Sequence, residues 1–199
     1  MAMVYNRYDI APGPGQPTGW NAGAWVGADT QGRANYFGKM DYDLAFDYEV
    51  KYKGKRSCRV HIASIEKGTV ESPRFAYHTN ELDVKPKTDY EVSVWYRTAP
   101  GEKSAVSFYL GGAGAMGLPA TEGQWKQGVY SFNSKDLTKL RVYLKTEAVG
   151  TVWFDNARLA PKGAGAEVNL LPNPDFEGGD ETVRDRLQEA YYLNALEHR

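Results

Sequence analysis

The sequence predicts an all-β domain, a sandwich or a barrel, followed by one helix outside it. Three observations carry that prediction. Aromatic residues are plentiful, with 14 Tyr, 5 Trp and 7 Phe in 199 residues, and these types favour pleated sheet over helix. The 21 Gly and 10 Pro supply many turns. Between those turns apolar and polar residues alternate with period two, as half-buried strands do.

Residues 1–19 read as irregular. The run A-P-G-P-G-Q-P-T-G, Ala11 to Gly19, has too many prolines and glycines for a helix or a central strand. Alternating runs follow at Ser57–Ser64, Arg74–His78, Tyr90–Thr98, Ala105–Gly111, Gly128–Asn133, Leu140–Thr146 and Thr151–Leu159. Turn signals separate them: Tyr52-Lys53-Gly54-Lys55, Pro86-Lys87-Thr88, Pro100-Gly101, Gly111 to Pro119, Glu122-Gly123 and Gly150. Residues 1–160 are thus assigned to the β domain and 161–168 to a linker. Residues 169–199 are a tail, or the start of a following domain. After Gly178-Gly179, Asp180 is placed to cap a helix over Glu181–Arg199. Its Val183, Leu187, Tyr191 and Ala195 recur every four residues and form an amphipathic stripe.

Composition narrows the partners. Lys plus Arg number 24 and Asp plus Glu 25, for a net charge of −1. Nucleic acid is a poor match, because phosphate binding draws on a basic face. No run approaches the roughly 18 apolar residues of a membrane span, and M-A-M-V-Y-N-R-Y-D has no apolar signal core. The single cysteine, Cys58, excludes an intrachain disulfide and lies in register with Val60 and Ile62. That setting favours a packed core thiol over a reactive one.

Alternation also sorts the faces. Tyr90, Val92, Val94 and Tyr96 point to the core, leaving Ser93, Trp95 and Arg97 outside. Val106, Phe108 and Leu110 point inward, leaving Ser107 and Tyr109. Leu140, Val142 and Leu144 point inward, leaving Arg141, Tyr143 and Lys145, and Arg59 and His61 are the outward pair of their strand. Trp95, Tyr109 and Tyr143 with Arg97 and Arg141 make an aromatic surface with hydrogen-bond donors. Such a surface suits sugars, whose C–H faces stack on rings while their hydroxyls take hydrogen bonds. The same residues also serve as cross-strand pairs on a solvated sheet, and periodicity does not say which strands share a sheet.

Several segments resemble one family when taken in order. These are Pro17-Thr18-Gly19-Trp20, Lys53-Gly54-Lys55-Arg56-Ser57-Cys58-Arg59-Val60, Val84 to Trp95 with its Pro86-Lys87, Gly123-Gln124-Trp125-Lys126, and Gly150 to Leu159 with Trp153-Phe154-Asp155. Together they resemble carbohydrate-binding modules of the family 4, 9 and 22 type. The resemblance implies a two-sheet jelly-roll β-sandwich, of the galactose-binding-like kind, that binds polysaccharide without cleaving it, in an extracellular or cell-surface setting. It implies binding aromatics near Trp25, Tyr109 and Tyr143 with Arg97 as a polar clamp. It also implies a structural Ca²⁺ with Asp155 as a ligand, helped by backbone carbonyls of the Lys53–Arg56 turn. The alternative for Asp155 is a turn cap with no metal. Trp20 is expected to pack at the sheet edge.

One motif is out of place. N-L-L-P-N-P-D-F-E-G-G, Asn169 to Gly179, resembles the strand that opens such modules, yet it stands near the C-terminus. This puts in question any ligand role of its glutamate, Glu177. Residues 169–199 could pack on their own domain, pair with a neighbouring copy, or belong to a further domain. The second option motivates the alternative function, a filament or virion assembly protein whose strand and helix make subunit contacts. Catalysis is not expected. His61, His78 and His198 lack metal-ligand spacing, no nucleophile-elbow or phosphate-loop motif occurs, and Glu71, Glu81 and Glu91 are scattered.

Overall fold

The computed structural model describes residues 15–25, 38–68, 73–102 and 105–178. Their strands are β1 (Trp20–Trp25), β2 (Gly38–Asp47), β3 (Ser57–Lys67), β4 (Arg74–Thr79), β5 (Leu82–Asp83) and β6 (Asp89–Thr98). Then come β7 (Val106–Leu110), β8 (Gly114–Leu118), β9 (Lys126–Asn133), β10 (Lys139–Leu140), β11 (Val142–Thr146) and β12 (Gly150–Pro161). Two five-stranded antiparallel sheets form, in the orders β1-β4-β11-β7-β8 and β2-β3-β12-β6-β9, with β5 and β10 making a short ribbon. The fold is all-β, a two-sheet jelly-roll sandwich. The helix expected over 181–199 lies outside the described residues.

The core follows the alternation. Phe75, Tyr77, Phe108, Leu110, Val142 and Leu144 from the first sheet meet Val60, Ile62, Val92, Val94, Tyr96 and Phe154 from the second, all nearly inaccessible. The Tyr77 and Phe154 rings meet edge to face at 6.1 Å across the two sheets. Cys58 belongs to this core with 0% exposure, and burial pushes its thiol pKa well up. It is a packing group, not a nucleophile.

Two expectations about strands change. Gly111 to Pro119, read as a loop, contains β8, which pairs with β7 from Val106↔Leu118 to Leu110↔Gly114. Small residues such as Gly114, Ala115 and Gly117 carry little strand signal, so partner pairing decides here. The strands β1 and β2 were not among the alternating runs expected, which begin at Ser57. In β2 the alternation is nonetheless present: Met40, Tyr42, Leu44 and Phe46 alternate with Asp41, Asp43, Ala45 and Asp47.

Residues 169–178 pack on the sandwich of their own chain. Leu171 and Phe176 are buried in the core, at 5% and 1% exposure. A bulge in β12 between Asp155 and Arg158 releases backbone groups that this segment then takes up. Ala157 N–H donates to Pro174 O, and the Asn169 side chain accepts from Leu159 N–H and donates to Ala157 O. Thr18 N–H donates to Gly178 O, and the Trp20 indole N–H donates to Pro172 O at 2.9 Å. Trp20 is 2% exposed and its ring lies 5.2 Å from that of Phe176, so it is a packing residue. The displaced motif therefore sits beside P-x-G-W in space although it stands far from it in sequence.

Candidate functional site

The outer face of the first sheet is built from strand register. One row across it runs Asn21, His78, Tyr143, Tyr109, Ala115. The next runs Gly23, Ala76, Lys145, Ser107, Gly117. In the first row the His78 and Tyr143 rings stack at 5.2 Å and 29°, and Tyr143 and Tyr109 follow at 5.3 Å and 55°. These cross-strand contacts hold Tyr143 in place and leave it only 7% exposed. Tyr109 at the end of the row is 40% exposed.

The second row is a low strip. Among the described residues, a Cβ added at Gly23 or Gly117 would meet no atom within 4 Å, so both ends of the strip are low. Lys145 lies in its middle with its side chain 12% exposed, next to buried Ala76. Its Nζ lies 2.7 Å from Glu147 Oε1 and 5.6 Å from the Tyr109 ring centroid. At the opposite side of the aromatic row a shallow depression of about 220 Å³ is lined by Glu81, Gly111, Lys139, Leu140, Arg141 and Tyr143. Arg141 there faces Glu81 at 3.9 Å. Burial, with a smaller contribution from Arg141, holds the His78 pKa below its usual value against the Thr79 O hydrogen bond, so its imidazole is neutral at pH 7 and its Nδ1–H donates to Thr79 O at 3.2 Å.

Tyr109, Tyr143 and Arg141 are thus brought together. Trp25 ends β1 opposite Arg74 on the same sheet, and its side chain lies outside the described residues. Trp95 and Arg97 stand on β6 in the other sheet, on the far side of the sandwich. The expected single surface is therefore two surfaces, and Arg97 is no clamp for Tyr109 and Tyr143. Alternation assigns inside and outside on each strand but leaves the sheet membership open. Trp95 is also covered: the Tyr52 ring stacks on it at 3.7 Å and 11°. His78 and Lys145 complete the row and strip. His78 was visible as an outward residue flanked by buried Tyr77 and Thr79.

A second constellation lies at the turn Tyr52–Arg56. Asp155 Oδ2 accepts from Tyr52 N–H and Lys53 N–H at 2.8 and 3.1 Å. Glu177 Oε1 accepts from Lys55 N–H and Arg56 N–H at 2.6 and 3.2 Å. A Cβ at Gly54, where φ is +69, would run into Glu177 Oε1, so glycine is needed at the apex. Each carboxylate spends one oxygen on the turn. The others, Asp155 Oδ1 and Glu177 Oε2, are buried and without a hydrogen-bond partner. Burial, with added repulsion from Glu177, raises the Asp155 pKa to about 6 against the pull of the backbone N–H donors. Arg56, 2% exposed, lies 3.6 Å from the Phe46 ring centroid and donates to Phe176 O, Glu177 O and Tyr48 Oη.

The two orphaned oxygens fit a hard cation such as Ca²⁺. Among the described residues no group of three or more His, Cys, Asp or Glu could hold a metal. Further ligands would have to be carbonyl oxygens or water.

No protein-family model matches the chain, and no curated protein matches it in sequence. Several solved structures are similar. A family 61 carbohydrate-binding module in complex with β-1,4-galactotriose is 13% identical, with a TM-score of 0.48, covering 74% of this chain and 92% of that one. The CBM22-1 xylan-binding domain from Paenibacillus barcinonensis Xyn10C is 15% identical, with a TM-score of 0.47, covering 77% and 90%. The enzymatically active domain of bacteriophage CBA120 tailspike protein 4 is 12% identical, with a TM-score of 0.48, covering 76% of this chain but 21% of that one.

Proposed function

We propose that this chain is a noncatalytic glycan-binding module that holds polysaccharide on the outer face of its first sheet. The observation that carries the reading is the row His78–Tyr143–Tyr109, three rings in successive contact on adjacent strands, beside a strip that is low at Gly23 and Gly117. Tyr109, the exposed ring at the end of the row, offers a stacking face to sugar C–H groups, and Tyr143 and His78 support it from behind. Lys145, Arg141, Asn21 and Ser107 supply hydrogen-bonding groups around them. The module would be stabilised by a Ca²⁺ between Asp155 and Glu177, which pins the C-terminal segment to the turn before β3. An extracellular or cell-surface setting accompanies this reading. Nothing in the seating of residues 169–178 calls for a neighbouring copy.

Calorimetric titration of soluble glucans, xylan and galactans tests the proposal. Tyr109→Ala is expected to weaken the best ligand about ten-fold, equivalent to ~1.4 kcal/mol, while Tyr109→Phe keeps most of the affinity because the stacking ring remains. Tyr109 is exposed, so its replacement leaves the fold intact. An unchanged isotherm for Tyr109→Ala would remove this face from consideration.

A further inference from the structure

The outer face of the second sheet carries a cluster that the first face leaves unused. Trp153 on β12 stands in register between Arg59 on β3 and Arg97 on β6. Its indole N–H donates to Asp47 Oδ2 at 2.7 Å, which fixes the ring. The Arg97 guanidinium carbon lies 5.5 Å from that ring's centroid. Trp125 follows the end of the β6–β9 ladder at Tyr96↔Lys126, and its ring lies 6.1 Å from that of Tyr52. One indole, that of Trp153, therefore faces the guanidinium.

The two arginines beside Trp153 differ. Arg59 is paired with Asp43 at 2.6 Å. Arg97 makes no hydrogen bond or ion pair with any described residue, while the Nε of both arginines is buried without a partner. Neighbouring carboxylates are committed elsewhere. Asp47 accepts from Glu49 and Val50 N–H besides the indole, Glu102 accepts from Thr151 N–H, and Glu122 accepts from Gly101 N–H. Gly123 adds no side chain near Arg97 Nη2, where a Cβ would stand 3.9 Å away. A half-buried guanidinium with its fork of donors unanswered is matched to a carboxylate, which it can take bidentately.

We propose that Arg97 and Trp153 form a second subsite, specific for a carboxylate-bearing sugar residue such as a uronic acid. The guanidinium would take the carboxylate while the Trp153 indole packs on a pyranose C–H face. The inference rests on the glycan-binding reading but uses the opposite face of the sandwich.

The test is tryptophan fluorescence and indole N–H NMR, titrating tri-galacturonate, neutral galactotriose and acetate into the full chain. Tri-galacturonate is expected to shift the Trp153 indole resonance, and Arg97→Met is expected to weaken its binding at least ten-fold while keeping the alkyl stem. Arg97→Lys keeps the charge but not the fork and is expected to fall between. Tyr109→Ala should leave this response untouched. Equal affinity for tri-galacturonate before and after Arg97→Met overturns the subsite, as does no response to it at all. So does an acetate response as strong as that of the trimer. In each case neutral binding through Tyr109 stands or falls by its own titration.

Discussion

Phe176→Ala is expected to lower the stability of the domain by about 3–5 kcal/mol, the range for emptying a buried aromatic site. Phe176 is 1% exposed and packs against Trp20, which is itself held through its indole to Pro172 O. Arg56→Leu should destabilise for a different reason. It strips the donors from Phe176 O, Glu177 O and Tyr48 Oη, and each buried acceptor left unsatisfied costs about 1–3 kcal/mol. Urea unfolding followed by tryptophan fluorescence measures both. Deleting residues 167–199 should destabilise at least as much as Phe176→Ala. A truncated domain as stable as the full chain would mean that the C-terminal segment is an ornament and not part of the core.

The second large effect concerns Asp155 and runs in opposite directions with and without metal. Its folded pKa is raised to about 6, above the ordinary value near 3.9. A raised carboxylate binds its proton more tightly in the folded state. Without metal, its contribution therefore falls as pH rises from about 4 to 6, and acidification restores it. With Ca²⁺ bound, the ionised form is the one required, so stability conferred by the ion should fade as pH falls through the same window. Thermal unfolding in EDTA and in millimolar CaCl₂, between pH 4.5 and 7.5, separates the cases. Asp155→Asn should be close to wild type in EDTA at pH 7, because the amide oxygen still accepts from the Tyr52–Lys53 turn, yet it should gain nothing from Ca²⁺. Glu177→Gln should lose the Ca²⁺ response likewise. A melting temperature indifferent to Ca²⁺ at pH 7.5 would leave the two carboxylates as turn caps alone.

Much of this architecture was legible in the chain because alternation is a local property. Tyr90, Val92, Val94 and Tyr96 point inward on β6, and Val106, Phe108 and Leu110 do so on β7. The turn residues fell where the strands end. The strand β8 was not legible, since G-A-M-G-L has neither β-branched residues nor a strong alternation, and β7 supplies its pairing. The site was legible only in part. Tyr109, Tyr143 and Arg141 were identifiable as outward residues, but Trp95 and Arg97 obeyed the same rule on a strand of the other sheet.

By itself, then, the sequence determined the main strand positions from Ser57 onward apart from β8, their inward and outward faces, the thiol buried at Cys58 and the oddity of N-L-L-P-N-P-D-F-E. Each follows from residue type and from spacing over a few positions. Tertiary structure alone decided which strands lie side by side, and so divided the aromatic surface between two faces. It also decided that Asn169–Gly178 fills its place on its own domain. Its backbone meets groups freed by the β12 bulge, its Phe176 meets Trp20, and its Glu177 meets a turn more than a hundred residues earlier. Those contacts join segments far apart in the chain, so no local pattern could encode them.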